Sequence, residues 1–244
     1  MKKIILPILL LACCSGALAQ QKDEAEQKNI VKINLFALAM KNISIQYERV
    51  VGKRVSVAGL IRLMPKSSIP FKSAIKNAVD DPDTEVQVEN TRVGNFAFTP
   101  ELRYYVGKKG ALHGFYIAGF ATIANYTAEL PFQYDDLGTT KTIPMSGKVN
   151  TFTGGIMFGS QWKLGKRVNL DWWIIGPNYG SSNGSLKGQT ALTPSEQSSL
   201  KKELDEIDIP FTKTTNEVNA NGATLFVKGP WAGIRSGLCI GFSF

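Results

Sequence analysis

The last fourteen residues alternate. Ala232, Ile234, Leu238, Ile240, Phe242 and Phe244 are apolar at even positions, with Ser236 the exception; Gly233, Arg235, Gly237, Cys239, Gly241 and Ser243 take the odd ones. A period of two places successive side chains on opposite faces of a strand. The pattern recurs upstream. Val31, Ile33 and Leu35 oppose Lys32 and Asn34; Ile43, Ile45 and Tyr47 oppose Ser44, Gln46 and Glu48; Val55, Val57, Ile61 and Leu63 oppose Arg54, Ser56 and Arg62. Phe96, Phe98, Leu102 and Tyr104 oppose Asn95, Thr99, Glu101 and Arg103, with Pro100 marking a bulge or local break. Phe152, Ile156 and Trp162 oppose Thr151, Thr153, Gln161 and Lys163, and Val168, Leu170 and Trp172 oppose Asn169 and Asp171. Two places are irregular. In 114–126, Phe120 and Tyr126 fall opposite Phe115, Ile117 and Ile123, and in the seventh strand Trp173 and Ile175 fall on the polar face.

Eight strands follow, and their connections differ in length. Residues 51–53, 107–113 and 165–166 make tight turns; 64–92, 127–149 and 176–230 are long, and 37–42 is a short link. Long connections at one end and tight turns at the other are the asymmetry of an outer-membrane barrel. The expected fold is all-β: an eight-stranded antiparallel up-and-down transmembrane β-barrel with long extracellular loops. The last loop carries one short helix. Thr193-Pro-Ser-Glu196 is a capping box with Pro at the first helical position. Leu200, Leu204 and Ile207 then form an apolar stripe, which predicts a helix over 194–207 packed on Ile209, Phe211, Leu225 and Phe226. A partner surface is the alternative use of that stripe. A single helical turn is expected near 73–79.

If the apolar face meets lipid, the polar face is the interior. Lys32, Glu48, Arg54, Arg62, Glu101, Arg103, Lys163, Asp171 and Arg235 then form an interior charge network, because a charge on the lipid face costs about 2–4 kcal/mol near the midplane. Buried charges must be paired, so the network plugs the lumen; a narrow lined pore or small polar pocket is the alternative. Tyr47, Tyr104, Trp162, Trp172, Trp231 and Phe242 are assigned to the interfacial aromatic girdle, and Ile240, Phe242 and Phe244 to a C-terminal assembly signal.

The first nineteen residues read as an export signal. Lys2 and Lys3 precede the apolar Ile4–Cys14, and Ala17-Leu-Ala19 is a cleavage site. Leu10-Leu-Ala-Cys13 permits lipoprotein processing instead. Residues 20–29 are a polar, flexible leader and 30–244 the barrel. Removal of the signal takes the formal charge from +8 to +6 and leaves Cys239 as the single cysteine, so no intramolecular disulfide is expected. No apolar run is long enough for a membrane helix. The lysines are scattered, which argues against nucleic-acid binding.

Several segments carry a resemblance. Ile43-Ser-Ile-Gln-Tyr-Glu-Arg49, Phe98-Thr-Pro-Glu-Leu-Arg-Tyr-Tyr105, Gly114-Phe-Tyr-Ile-Ala118 and the Phe244 terminus resemble the small outer-membrane β-barrel proteins of Bacteroidota, an OmpA-like eight-stranded group mostly of unknown function. The resemblance implies insertion by the outer-membrane assembly machinery, contact with outer-membrane lipid and lipopolysaccharide, and no enzyme activity.

The residues offer little chemistry. His113 is the only histidine and lies in a tight turn, so a Ser/His/Asp hydrolase lacks a base. Asp80, Asp81 and Asp83, and likewise Asp135 and Asp136, read as solvated loop tips, with a divalent-cation contact as the alternative. No Cys/His metal spacing and no phosphate loop occur. No catalytic residue, cofactor or metal is expected. The expected role is structural or in surface interaction; a porin-like small-solute channel and an envelope-lipid enzyme are the alternatives.

Overall fold

A computed structural model describes residues 27–70, 73 and 89–244. The export signal, most of the leader, all but the first residue of the turn expected near 73–79, and Asp80, Asp81 and Asp83 lie outside the described residues. The order is β1 (Asn29–Asn34), α1 (Leu35–Ala39), β2 (Ile43–Gly52), β3 (Val55–Ser68), β4 (Arg92–Tyr105), β5 (Gly114–Asp136), β6 (Thr139–Lys163), β7 (Val168–Gln189), α2 (Pro194–Asp205), β8 (Lys213–Asn219) and β9 (Gly222–Ser243).

Antiparallel pairs run from β1 to β7, then to β9, and β9 returns to β1. Eight strands therefore close a ring, and β8 adds to the free upper part of β9. The first and last strands of the ring form the seam: Asn29 N–H donates to Phe244 O at 3.2 Å, and Phe244 N–H donates to Asn29 O at 2.9 Å. One row of partners runs Ile33, Ile45, Ile61, Phe98, Ile123, Phe152, Ser181, Pro230. The partner of Ile33 across the seam is Ile240, so the ring closes ten residues out of step. Such a stagger goes with tilted strands and an interior that side chains fill.

From β1 to β6 this row is apolar and points outward: Ile45, Ile61, Phe98, Ile123 and Phe152 are all exposed. The adjoining row of the longer strands is polar. Asn125, Asn150, Asn183 and Lys228 are consecutive partners on β5, β6, β7 and β9. From there the faces exchange character. On β6, Phe152 and Ile156 point outward over inward Thr151 and Thr153, but farther along Thr142, Ser146 and Lys148 point outward over buried Ile143 and Met145.

The irregular seventh strand has a local cause. Phe158 pairs with Ile175 and Gly159 with Trp173, so Ile174 is an extra residue in a β-bulge. Ile174 and Ile175 both face outward, while Trp173 faces inward and is buried. In β5 the inward aromatics belong to the interior: Tyr116 and Phe120 are buried there, while Phe115, Ile117 and Ile123 are exposed.

Two expected loops are mostly strand. Residues 127–136 and 139–149 extend β5 and β6 into a long hairpin closed by Leu137-Gly138, both at positive φ (54° and 81°) as a two-residue hairpin turn requires. Residues 176–189 and 222–230 likewise belong to β7 and β9, and β8 pairs back on β9. The sequence hid this because outward positions there are polar, so the apolar alternation stops although the strands continue. The helix expected over 194–207 runs Pro194–Asp205 with its capping box formed: Thr193 Oγ1 accepts from Glu196 N–H at 3.3 Å and Glu196 Oε2 accepts from Thr193 N–H at 2.7 Å. Leu200 and Leu204 bury against β5 and β8, in a second core with Tyr134, Ile143, Met145 and Leu225. Of the four residues expected beneath the helix, Leu225 is in that core, while Ile209 and Phe226 stay partly exposed and Phe211 is 92 % exposed. Above the ring, α2 thus spans from β5 to β8 and does the work that β1–β4 do below.

Candidate functional site: a charge network across the barrel interior

Every strand of the ring sends a side chain into one buried network. Lys32 (β1) donates to Glu48 (β2), to Gln161 Oε1 (β6) at 2.9 Å and to Asp171 Oδ2 (β7) at 2.6 Å, which uses all three ammonium protons. Arg103 (β4) donates through Nε to Glu101 Oε1 at 2.5 Å and through Nη2 to Gln46 Oε1 at 2.9 Å. Its Nη1 reaches Asp171 Oδ2 at 2.7 Å and Glu48 Oε2 at 3.1 Å. Arg235 (β9) donates through Nη1 to Glu101 Oε2 at 2.7 Å.

Neutral donors complete the carboxylates. Glu48 also accepts from Ser56 (β3) and from the Tyr105 hydroxyl at 2.7 Å. Asp171 accepts from the Tyr116 hydroxyl (β5) at 2.8 Å and from Trp173 Nε1 at 3.1 Å. The Arg103 guanidinium lies 4.4 Å from the Tyr116 ring centroid. Three cations meet three carboxylates, and Lys32, Glu48, Arg103 and Asp171 have at most 1 % exposure. That balance is what a low-dielectric interior demands, since one unpaired charge there would be costly.

Strand parity places Lys32, Glu48, Glu101, Arg103, Asp171 and Arg235 together, but three residues of the expected network stand apart. Arg54 and Lys163 are exposed at the tight-turn end. Parity fixes the face of a strand but not the height, and these two sit where the wall ends. Arg62 hydrogen-bonds Asn95 Oδ1 at 2.8 Å and the Tyr126 hydroxyl at 3.2 Å, away from the six. Gln46, Ser56, Tyr105, Tyr116, Gln161 and Trp173 belong to the network although none is charged; each shares the parity of a charged neighbour two residues away or of a partner across the ladder.

Of the residues assigned to a girdle, Tyr47, Tyr104, Trp162, Trp172 and Phe242 are exposed on the outer surface, as are Ile240 and Phe244. Trp231 is not. It has the odd parity of Arg235, points inward and lies 5.0 Å from the Tyr126 ring. A cavity of about 370 Å³ lies on this side of the network.

At the far end, charged groups fasten α2 to the β5–β6 hairpin. Lys141 Nζ donates at 2.8 Å to both Asp136 Oδ2 and Glu196 Oε1, and Asp136 Oδ1 accepts from Ser195 at 2.8 Å and Ser199 at 3.2 Å. Lys141 and the Thr193 donors hold the Glu196 carboxyl down, from 4.5 to about 2. Asp136 is lowered too, by Lys141 first and Ser195 second. This aspartate is a structural clasp and not a solvated tip. Asp135 accepts from Gly138 N–H at 2.9 Å in the turn.

His113 sits in a turn, with Nδ1 3.3 Å from Ala111 O. Among the described residues no group of His, Cys, Asp or Glu is arranged to hold a metal. The arrangement is a closed eight-stranded β-barrel with a charge-balanced ionic core. Residues 6–182 match the family described as a protein of unknown function (DUF3575), and the chain belongs to that family. The match takes in five of the six charged network residues and ends within β7, before α2 and the closing strand. No curated protein matches the chain, and no solved structure does.

Proposed function

We propose that this protein is an outer-membrane β-barrel that holds its projecting end outside the cell, in an envelope-structural or surface-interaction role. One observation carries the reading: the ring is apolar outside and ionic inside, and the same strands reverse that order where they leave the ring. In water, the exposed Ile45, Ile61, Phe98, Ile123 and Phe152 would form an apolar belt far larger than a soluble monomer tolerates. In a bilayer that belt is at home, and the exposed aromatics fit the interfaces. The resemblance to Bacteroidota barrels points the same way.

The ionic core argues against a channel. Lys32, Arg103, Glu48 and Asp171 bond to one another across the lumen with no solvent contact. It also argues against catalysis at its centre, where Lys32, Arg103, Glu48 and Asp171 are paired with one another and buried. Heat-modifiable migration from outer-membrane fractions tests the location, and planar-bilayer recording tests the plug. The expected result is a folded barrel in that fraction without steady openings. A soluble protein refutes the location; steady conductance refutes the plug.

A further inference from the structure

The wall of the ring is not laddered everywhere. β1 pairs with β9 only up to Asn34–Cys239, and β8 pairs with β9 only from Lys228 upward. Between them, β9 takes its partners from β7 alone. The open side is filled by α1, whose first turn is capped by Asn34: its Oδ1 accepts from Ala37 N–H at 3.1 Å. A five-residue helix has replaced the continuation of a strand.

Behind α1 lies the 370 Å³ cavity, within the range of small-molecule sites. Phe36, Met40 and Ile234 line it and yet are 53 %, 46 % and 73 % exposed on the outer surface. They connect the cavity to the apolar belt. Deeper in, Arg235 lies 4.1 Å from the Trp173 ring centroid and 5.1 Å from that of Phe120. Its Nη1 is held by Glu101, but its buried Nε and Nη2 have no partner among the described residues. Among the described residues Arg62, the other guanidinium in the lining, hydrogen-bonds the neutral Asn95 and Tyr126. Among the described residues the lining contains two guanidiniums and no carboxylate. Buried donors without partners are costly, and guanidiniums match carboxylate and phosphate oxygens.

We propose that this cavity binds a single-chain amphiphile with an anionic headgroup. Arg235 and Arg62 hold the headgroup, and the chain leaves past Phe36, Met40 and Ile234 between α1 and β9 into surrounding lipid. The chain exit rests on the outer-membrane reading; the headgroup preference does not. The ionic core closes the route farther down the barrel, so the site is a lateral pocket and not a pore.

Trp173 and Trp231 line the cavity and report on it. The full chain, folded in a neutral sugar detergent, is titrated with terminally brominated dodecanoate, whose bromine quenches tryptophan. Brominated dodecanol is the uncharged control. Saturable quenching by the acid is expected, about tenfold weaker for the alcohol. Dodecyl phosphate should compete whereas inorganic phosphate should not, which separates a lipid headgroup from a free anion. Arg62→Gln lies outside the ionic core and should weaken binding of the acid about tenfold. Gly233→Leu, whose added Cβ meets nothing nearer than 3.5 Å, should obstruct the cavity and abolish saturation. Equal quenching by acid and alcohol, or unchanged quenching in both variants, overturns the proposal. Heat-modifiable insertion into vesicles is scored separately. Insertion without saturable quenching sinks the site and leaves the membrane reading standing; headgroup-selective quenching without insertion does the reverse.

Discussion

The ring and its projecting end share four strands and bury opposite chemistries. Along β5, outward Phe115, Ile117 and Ile123 give way to Asn125, Thr127 and Glu129; inward Tyr116, bonded to Asp171, gives way to Leu130, Phe132 and Tyr134. Backbone pairing continues unbroken through the exchange. Local strand propensity therefore does not decide what is buried; the surroundings of each segment do. The ring is held by hydrogen-bonded charges inside an apolar coat. The projection is held by an ordinary apolar core with a helix laid across it.

The two regions should break differently. The largest effect belongs to the ring. Asp171→Ala leaves Lys32 and Arg103 short of a buried counter-charge, and removing one partner of a buried ion pair costs about 3–5 kcal/mol. The expected outcome is loss of heat-modifiable folded protein, or a urea midpoint lowered to match. An unchanged midpoint would mean that the core charges are not coupled.

A smaller and confined effect is expected above. Leu200→Ala empties part of the second core and costs about 2–5 kcal/mol of local stability. Hydrogen exchange should quicken in α2 and β8 while β1–β4 stay protected. Uniform loss of protection would show that the two regions fold as one unit.

The smallest effect is a pH dependence of the clasp. A carboxyl whose pKa is depressed on folding stabilises the fold above its unfolded pKa and loses that contribution as pH falls through the folded value. For Glu196 the window runs from about 4.5 down to about 2. Proteolysis within 194–219 should therefore quicken on acidification across that window in wild type, and less so in Glu196→Gln, where Asp136 still titrates with a lowered pKa. Equal pH response of the two would remove Glu196 from the clasp.

The sequence made the ring legible because lipid-facing strands alternate sharply and charges mark the inner face. Six of the nine charges assigned by parity meet in one network. Height was illegible: Arg54 and Lys163 have the right parity at the wrong level. Trp231 carried the parity of an inward residue, but its aromatic type suggested an interface. The projecting strands were hidden by polar outward residues such as Thr142, Ser146 and Lys148. The bulge at Ile174 showed only as a break in alternation at Trp173 and Ile175. The capping box of α2 was legible because its reciprocal hydrogen bonds are set within four residues.

The central claim is that one face of one strand meets lipid at one level and water at another. Ile156 and Thr142 both lie exposed on the outward face of β6, below and above the exchange. Folding of Ile156→Lys and Thr142→Lys into vesicles, measured by urea titration, compares them directly. Ile156→Lys should cost about 2–4 kcal/mol or prevent insertion, and Thr142→Lys should leave the midpoint where it was. Equal tolerance of the two lysines would contradict the account.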